Sequence, residues 1–328
     1  MKAVVLAAGL GSRLKPITDY LPKPLVPILN QPLLQVVLGQ LSRHGFGPFA
    51  INSYHLPEVI ASRLETPSLK PFNVHVSVES PVLLGTGGAL NPLREWLNGE
   101  SFLVCNGDIV SNIDFRELAR AHSQSGCLVT MAVTPGHTGT DRVVWVDESC
   151  APGRVVSISK NEPNTPQAGG PRLRPYSFAC AYIAQNELLQ FISSQGESDL
   201  TESINKAISL GHVVEVMVHT GFWADIGTPK GLWDASLNLA HMPEEALANI
   251  FGEAVAFRRD SECTYLEGAK VFRGLALKFH GLVIIGDHCS VGDQCSLTDC
   301  LILPGSTLPA GSMISGKIVG PHSIDITI

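Results

Sequence analysis

Long hydrophobic runs and positive charge are both scarce in this sequence of 328 residues. Its longest apolar runs, such as Ala3–Leu10, fall far short of the roughly 20 residues that a membrane-spanning helix needs. Lys and Arg number 23 against 30 Asp and Glu, which gives a net charge of -7 and argues against a nucleic-acid backbone as the main partner. We therefore expect no membrane and no nucleic acid among the partners, and any phosphate must be bound by a few local cations, amides or a metal ion.

Cysteine is sparse and follows no metal-binding or redox spacing. The eight cysteines include no Cys-x-x-Cys pair, and their density is too low for a disulfide scaffold. We expect them to be small buried apolar side chains in a reducing compartment. The apolar N-terminal stretch has only Lys2 as a basic region, so it does not read as a signal peptide. A cytoplasmic location is expected.

The sequence has enough apolar residues for a large core, and its elements alternate regularly. Hydrophobic residues make up 45% of the chain, and the length suggests two domains. Over the first 240 residues, short apolar runs alternate with helical patterns such as Pro32–His44, Pro57–Leu64 and Gly85–Leu97. This alternation predicts an α/β fold with a mostly parallel sheet, whose ligands bind at the carboxyl ends of strands. Gly9 and Asp108 lie at two such predicted ends.

After about residue 250 the sequence changes to a six-residue repeat. An aliphatic residue followed by glycine recurs at Ile285 and Val291, and Leu297 continues the spacing. Hexads of this kind are typical of a parallel β-helix, in which three hexads make one coil. The readable repeat, Leu282–Ile314, predicts about two coils. We therefore expect a main domain over residues 1–245 and a hexapeptide-repeat tail over residues 246–328.

The strongest functional pattern follows the first predicted strand. It reads Leu6-Ala-Ala-Gly-Leu-Gly-Ser-Arg-Leu-Lys-Pro-Ile-Thr18 and is completed by Pro22-Lys-Pro-Leu25. Small residues let backbone amides approach an anion, and the arginine and lysine add charged donors for phosphate oxygens. The Gly-x-Gly alone is weak, because the third glycine of the dinucleotide fingerprint and the Gly-Lys-Ser/Thr of a P-loop are absent. The full run is far more specific.

With this motif the sequence resembles the sugar-1-phosphate nucleotidyltransferases, also called NDP-sugar pyrophosphorylases. Three more segments are similar to that family: Leu84–Leu90 to its nucleotide-base loop, and Asn106–Asp108 and Gly221–Pro229 to its two metal-binding Asp segments. The hexad tail resembles the left-handed β-helix that follows this domain in several members. The Asn52 region and the Gly-Thr-Gly-Gly loop are most similar to members that act on UTP or GTP.

The resemblance implies a Rossmann-like nucleotidyltransferase domain that joins an NTP and a sugar-1-phosphate to give an NDP-sugar and pyrophosphate. The attack on the α-phosphate is in line, and Mg²⁺ is the implied cofactor, held by Asp108 and Asp225. The implied catalytic residues are Arg13, Lys23 and Asp108. The implied nucleotide-binding residues are Leu6, Ala8, Gly9, Gly11, Ser12, Arg13, Glu79, Gly85 and Thr86. The implied contacts to the sugar phosphate come from Lys23, Gly107, Lys160, Glu162 and Cys180.

Two positions depart from the family pattern on the acceptor side. The segment Ser-Lys160-Asn-Glu-Pro stands where the family usually has Glu-Lys-Pro. Lys160 either reaches the sugar phosphate from a shifted position, is replaced by Arg172 or Arg174, or is an ordinary surface charge. Cys180 stands where the family often has glycine, and would tighten the sugar pocket or displace the sugar. These departures support a second hypothesis, a catalytically silent nucleotide-sugar sensor or regulatory subunit on the same fold.

Glu79 and two histidines of the tail each allow more than one role. Glu79 either contacts the nucleotide or ends a strand facing water. In the tail, His280 or His288 could serve an acyltransferase as general base. The predicted coils are too few for the cleft that such an enzyme builds between subunits, so we expect the tail to pack on the main domain or to join copies into a homo-oligomer.

Overall fold

The computed structural model describes residues 1–136, 142–163, 172–252, 255–322 and 324–328. The chain divides into two compact units, each assembled from separate segments. Unit 1 contains Met1–Gly9, Leu41–Gly107 and Ser111–Trp223, and unit 2 contains Leu10–Gln40, Asp108–Val110 and Ala224–Ile328. The boundary expected between residues 245 and 246 stays a prediction. Within the described ranges, no helix is long and apolar enough to cross a membrane.

Most of the helices follow the predicted pattern. The described α-helices are α1 (Leu33–Arg43), α2 (Pro57–Leu64), α3 (Gly85–Gly88), α4 (Arg94–Leu97), α5 (Phe115–Ser125), α6 (Leu200–Ser209), α7 (Pro229–Ala240) and α8 (Glu244–Phe251). The helices predicted at Pro32–His44 and Pro57–Leu64 are confirmed by α1 and α2. The single helix predicted over Gly85–Leu97 is wrong, because a 3-10 turn at Asn91–Leu93 separates α3 from α4. Pro92 has no amide hydrogen, and three glycines weaken the first turn.

Unit 1 is built on one sheet of nine strands. The strands of the chain up to residue 225 are β1 (Lys2–Leu6), β2 (Pro27–Ile28), β3 (Gln31–Pro32), β4 (Phe49–Ser53), β5 (His75–Val78), β6 (Phe102–Asn106), β7 (Ile109–Ser111), β8 (Val129–Pro135), β9 (Val143–Asp147), β10 (Arg154–Ser159), β11 (Leu173–Ala184), β12 (Val214–Val218) and β13 (Trp223–Asp225). The sheet order is β5-β4-β1-β6-β11-β8-β12-β10-β9. The strands β5, β4, β1 and β6 are parallel neighbours, and their carboxyl ends carry three of the sequence motifs.

The α/β class and the parallel core of this sheet are confirmed, but its other half is mixed. Strand β11 runs antiparallel to both β6 and β8, and β10 runs antiparallel to β9 and β12. The apolar faces of these strands form one core cluster that includes Phe102, Met131 and Tyr182, all almost fully buried. Helices α5 and α6 lie against β8 and β10 respectively. The antiparallel direction of β11 could not be predicted from the sequence, because a buried strand has the same apolar pattern in either direction.

The tail in unit 2 stacks short strands in parallel. These strands are β14 (Arg258–Arg259), β15 (Cys263–Glu267), β16 (Phe272–Arg273), β17 (Lys278–Ile285), β18 (Ser290–Val291), β19 (Ser296–Ile302), β20 (Thr307–Leu308), β21 (Met313–Gly320) and β22 (Ile324–Thr327). Strands β15, β17, β19 and β21 pair in parallel, and so do β16, β18 and β20. Cys263 lies opposite Gly281, 18 positions later, which is the length of three hexads. The tail thus consists mainly of short strands that pair in parallel, while the hexapeptide-repeat β-helix and its left-handed winding stay predictions.

The stacked coils begin earlier than the predicted start at Leu282. Strand β15 already pairs with β17, so Cys263 belongs to the first coil. Glu267 and Arg273 occupy the positions that Ile285 and Val291 occupy one coil later. These two charged residues form an ion pair with each other, so the first coil tolerates them at positions that are aliphatic in the next. Because charged residues stand at the aliphatic positions, the six-residue repeat cannot be recognised in the sequence of this coil.

The neighbouring coil explains the glycines that follow the aliphatic residues of the hexads. A Cβ added at Gly286 would lie 2.5 Å from the backbone nitrogen of Pro304, closer than real Cβ atoms approach. The aspartates that follow these glycines bind the neighbouring coil, since Oδ1 of Asp287 accepts a hydrogen bond of 2.7 Å from the Ala269 amide. Cys289, Cys295 and Cys300 are fully buried in the core of the tail, as expected for small apolar side chains.

Candidate active site

The end of strand β1 lies beside the end of β6. Leu6 pairs with Asn106, and the carbonyl of Leu6 accepts a hydrogen bond of 2.8 Å from the Gly107 amide. A Cβ at Gly107 would lie 3.1 Å from that carbonyl, tighter than nearly all real contacts. The glycine therefore lets the two strand ends approach, and the first and third sequence motifs meet at the sheet edge where parallel sheets bind ligands. Of the following residues, Ala8 is buried and Gly9 is exposed.

The turn after this strand is held by the threonine of the same motif. Gly11 adopts a left-handed φ of 64°, and a Cβ there would lie 2.7 Å from the Thr18 methyl group. The Thr18 hydroxyl donates a hydrogen bond of 2.8 Å to the Gly11 carbonyl. Thr18 is fully buried and holds the turn through this hydrogen bond, whereas Ser12 and Arg13 on the same turn are exposed. The spacing from glycine to threonine is thus a structural requirement of the loop.

Lys23 lies at the centre of the charged cluster in unit 2. Only 9% of its side chain is exposed, which is rare for lysine unless it is paired. Its ammonium group donates a hydrogen bond to Oδ2 of Asp108 and lies 3.6 Å from Oδ1 of Asp225. The flanking prolines place the residue at the start of a 3-10 turn, Lys23–Leu25. The two acidic residues expected to work together are therefore both in contact with the motif lysine.

Asp108 and Asp225 come from separate segments that a backbone hydrogen bond joins. The amide of Ile226 donates to the Asp108 carbonyl at 3.0 Å. Nη2 of Arg13 lies 3.5 Å from Oδ2 of Asp225, and the arginine remains 67% exposed. A Cβ at Gly227 would lie 2.7 Å from Nη2 of Arg13. Gly227 is therefore a structural member of this cluster that was not among the predicted site residues, although it lies in a matched segment.

The cluster has unused capacity for a cation. Oδ1 of Asp108 and Oδ1 of Asp225 are buried and have no hydrogen-bond partner among the described residues. Buried carboxylate oxygens without donors are costly, and a divalent cation would satisfy them. The described part of the chain contains no group of three His, Cys, Asp or Glu that could hold a metal ion. Two carboxylates alone still fit Mg²⁺, which keeps waters and accepts substrate phosphates as further ligands.

A second polar cluster lies in unit 1, at the ends of strands β1, β4 and β5. Oδ1 of Asn52 accepts a hydrogen bond of 2.6 Å from the Ala7 amide, and its Nδ2 donates one of 2.8 Å to Oε1 of Glu79. Oε2 of Glu79 accepts one of 2.7 Å from the Leu84 amide. Glu79 is only 4% exposed, so the hypothesis that it ends a strand facing water is wrong.

The glycine loop after Leu84 is fixed by the segment before α6. Gly85 has a left-handed φ of 73°, and the amides of Gly87 and Gly88 both donate to the Ser198 carbonyl, at 2.8 and 3.1 Å. The hydroxyl of Thr86 accepts a hydrogen bond of 3.1 Å from the Leu200 amide at the start of α6. Glycine is required here because side chains would collide with this neighbouring backbone.

The residues expected to contact the sugar phosphate include several that lie in or just after strands β10 and β11. Lys160 and Glu162 are both exposed, just after β10. Arg174, one possible substitute for Lys160, is engaged by Glu148, with Nε 3.1 Å from its Oε2. Cys180 has a left-handed φ of 58° at a register shift between β11 and β8. This conformation favours glycine, which explains why glycine is the expected residue there.

Comparisons with known proteins agree with these motifs. The profile of a family described as nucleotidyl transferase matches residues 2–242. The UTP–glucose-1-phosphate uridylyltransferase of Synechocystis sp. is 26% identical over 356 residues, covering 100% of this chain and 89% of its own. Mannose-1-phosphate guanylyltransferase 1 of Arabidopsis thaliana is 28% identical, covering 98% of this chain and 87% of its own. A crystal structure of UDP-glucose pyrophosphorylase complexed with UDP-glucose aligns with a TM-score of 0.58 and 18% identity, over 72% of this chain and 96% of the other, which establishes the fold.

Proposed function

The chain belongs to the nucleotidyl transferase family, and from that premise we propose that it joins an NTP and a sugar-1-phosphate to give an NDP-sugar and pyrophosphate. The relatives named as uridylyl and guanylyl transferases support UTP or GTP as the donor. The same names support a hexose-1-phosphate as the acceptor. A panel of sugar-1-phosphates is the test that identifies the sugar itself.

The contact of Lys23 with both Asp108 and Asp225 is the observation that carries this proposal. Transfer of a nucleotidyl group brings two anions together, and it needs positioning and charge neutralisation more than covalent chemistry. The buried ammonium group of Lys23, together with a divalent cation held by the two carboxylates, would supply the positive charge that neutralises the phosphates. A purely structural ion pair has no need of buried carboxylate oxygens without a hydrogen bond, and each of these two carboxylates has one.

Each cationic or backbone group has a proposed task. Lys23 contacts the phosphates near the reacting phosphorus, as a compact point charge. Arg13, which is exposed beside Asp225, binds the departing pyrophosphate together with the amides of Gly11 and Ser12. The small residues at Leu6–Gly9 let the triphosphate approach the backbone, and Gly85 and Thr86 lie in the loop that we expect to meet the base.

Mg²⁺ is the proposed cofactor, and Asp108 and Asp225 would hold it. Bound there, the ion would offset phosphate charge and align the attacking oxygen with the α-phosphorus. The residues fit the ion because each carboxylate has one buried oxygen without a donor among the described residues. On the acceptor side, Gly107, Lys160, Glu162 and Cys180 remain the proposed contacts to the sugar phosphate.

A cytoplasmic location and self-association through the tail belong to the same proposal. Six of the eight cysteines are buried, which supports the proposal that they are small apolar side chains in a reducing compartment. The stacked coils end in strands whose outer edges need a partner or a cover. Light scattering of the full chain and of a variant with a charge at the exposed Met313 tests the tail as the contact.

The test of the activity is a panel of four NTPs against several sugar-1-phosphates, with Mg²⁺ and release of pyrophosphate as the readout. We expect turnover with UTP or GTP and one or two sugar phosphates. The second candidate is the catalytically silent sensor, which the cysteine in place of glycine at position 180 favours. No turnover with any pair, together with tight binding of an NDP-sugar by calorimetry, would establish the sensor instead.

A further inference from the structure

Asn52 and Glu79 form a chain of hydrogen bonds whose direction is fixed at both ends. The amides of Ala7 and Leu84 can only donate, so each end of the chain must present an acceptor to them. Asn52 turns its oxygen to Ala7, which leaves its NH₂ group for Glu79. The carboxylate of Glu79 then accepts once on each oxygen. In these three hydrogen bonds the Ala7 amide donates to the Asn52 oxygen, the Asn52 NH₂ group donates to Glu79, and the Leu84 amide donates to Glu79. Every donor therefore meets an acceptor.

This chain of hydrogen bonds joins three neighbouring strand ends. Ala7 follows β1 directly, Asn52 lies in β4, and Glu79 follows β5 directly. The strands are parallel, so their carboxyl ends lie along one edge of the sheet. Both residues are only 4% exposed, and burial strengthens such hydrogen bonds and makes their loss costly. A buried carboxylate and a buried amide are thus used to fix two short loops.

The two loops that are held are those with proposed nucleotide contacts. Ala7 precedes the small residues Ala8 and Gly9, and Leu84 precedes Gly85 and Thr86. The segment before α6 also holds the start of the glycine loop, because the Ser198 amide donates a hydrogen bond of 2.8 Å to the Leu84 carbonyl. A loop that is already ordered loses little conformational entropy when a ligand binds. Loosening it would weaken binding without removing any contact to the ligand.

We propose that Asn52 and Glu79 are positioning residues that hold both nucleotide loops, and that the Glu79 carboxylate acts through the Leu84 amide instead of touching the nucleotide. The proposal rests on the proposed function, since it assigns these residues to the binding of the NTP. The proposal gives Glu79 a positioning role in place of a direct contact with the nucleotide, because both of its carboxylate oxygens already accept hydrogen bonds from the chain.

An exchange of the acid and the amide separates positioning from direct contact. In the double variant Asn52→Asp/Glu79→Gln, the acid at position 52 accepts from Ala7 and from the new amide, whose oxygen accepts from Leu84. All three hydrogen bonds are kept. Glu79→Gln alone sets one donor against another, and Asn52→Asp alone sets two carboxylates against each other. Glu58→Gln, at an exposed glutamate in α2, is the matched control.

The readouts are the KM for the NTP, kcat, and hydrogen exchange of peptides containing Ala7 and Leu84. We expect each single variant to raise the KM about tenfold, with a smaller effect on kcat, and to exchange faster at both peptides. The double variant should return to within about threefold of the wild type in KM and should regain slow exchange. The control should match the wild type in both.

Two results would overturn the proposal. If the carboxylate of Glu79 binds the nucleotide itself, the double variant stays as impaired in KM as Glu79→Gln alone. If the chain of hydrogen bonds is not a positioning device, the single variants exchange at the wild-type rate. Should a single variant fail to fold, recovery of folding in the double variant supports the coupling, and failure of the double variant counts against it. Absence of turnover in the wild type would refute the proposed function, whereas the exchange data would still decide whether the loops are held in this way.

Discussion

The side-chain nitrogen of Lys23 lies 3.6 Å from Oδ1 of Asp225, although the two residues come from opposite ends of the region that matches the family profile. The same nitrogen donates a hydrogen bond to Asp108. The ammonium group therefore serves as counter-ion to two carboxylates that would otherwise repel each other. A divalent cation bound by these carboxylates would lie close to the Lys23 ammonium group. The two positive charges would therefore compete for the same carboxylates.

Replacing Lys23 with methionine should make the site bind a divalent cation more tightly when no nucleotide is present. Methionine keeps much of the buried stem volume and removes the charge. Because the two carboxylates then lack their counter-ion, we expect the affinity for Mn²⁺ to rise at least about tenfold. Titration followed by electron paramagnetic resonance measures this directly. Lys15→Met, which removes an exposed partner of Asp19, is the control, and equal affinities in all three proteins would contradict the competition.

Asp108→Asn should nearly abolish turnover while the fold remains intact. The amide oxygen can still accept the hydrogen bond from Lys23, but the negative charge that would hold Mg²⁺ is lost. We expect kcat/KM to fall by about 10³-fold, and the thermal midpoint to change by only a few degrees. Asp234→Asn, at an aspartate in α7 whose side chain is half-exposed, should leave both unchanged. Full activity of Asp108→Asn would refute the assignment of this residue to the metal.

Substitutions at Cys180 should follow the backbone conformation of that residue. Its φ of 58° is left-handed, which costs about 1 kcal/mol for residues with a Cβ and more for β-branched ones. Cys180→Gly should keep the free energy of unfolding or raise it by up to about 1 kcal/mol, whereas Cys180→Val should lower it by more than about 1 kcal/mol. Urea denaturation of the three proteins measures the order. A valine variant as stable as the wild type would contradict the argument.

The stability of the chain should fall as the pH falls below about 6.5, in part because of His44. Nδ1 of His44 accepts a hydrogen bond of 3.2 Å from the Phe115 amide. Burial lowers the pKa of His44 from its ordinary value of 6.5; Asp114 opposes this shift, while Arg116 and Arg43 add to it. As the pH falls, the unfolded chain therefore binds the proton first, so this contribution is complete above about 6.5 and is lost down to the folded-state pKa.

His44→Asn provides the matched variant for this pH dependence. Its side-chain oxygen can accept from the Phe115 amide and cannot be protonated in this range. We expect the free energy of unfolding to drop less between pH 7 and pH 5 in the variant than in the wild type, by urea denaturation at each pH. His122 is also buried and its pKa is lowered, so a smaller drop of the same sign should persist in the variant. Identical pH profiles would contradict the role of His44.

Local patterns predicted most of the elements because each depends on neighbouring residues in the chain. The apolar spacing and the proline and glycine at its ends predicted α1 to within one residue at either end. The hexads predicted stacked coils, since a glycine is required wherever the next coil passes. The first coil was missed, because Glu267 and Arg273 neutralise each other only in the folded tail. The helix predicted from Gly85 is shorter in the structure, and the amides of Gly87 and Gly88 in its first turn donate to the carbonyl of Ser198, which is distant in sequence.

By itself, the sequence determined the class of the fold, the glycine turn held by Thr18 and the identity of the charged side chains, because these follow from periodicity, backbone conformation and residue chemistry over short distances. Only the tertiary structure decided which charges meet. Lys23, Asp108 and Asp225 lie in three separate segments, and their contact depends on how those segments fold together. The partners of Glu79 were likewise decided by strand order, since three parallel strands must end side by side before one carboxylate can bind two loops.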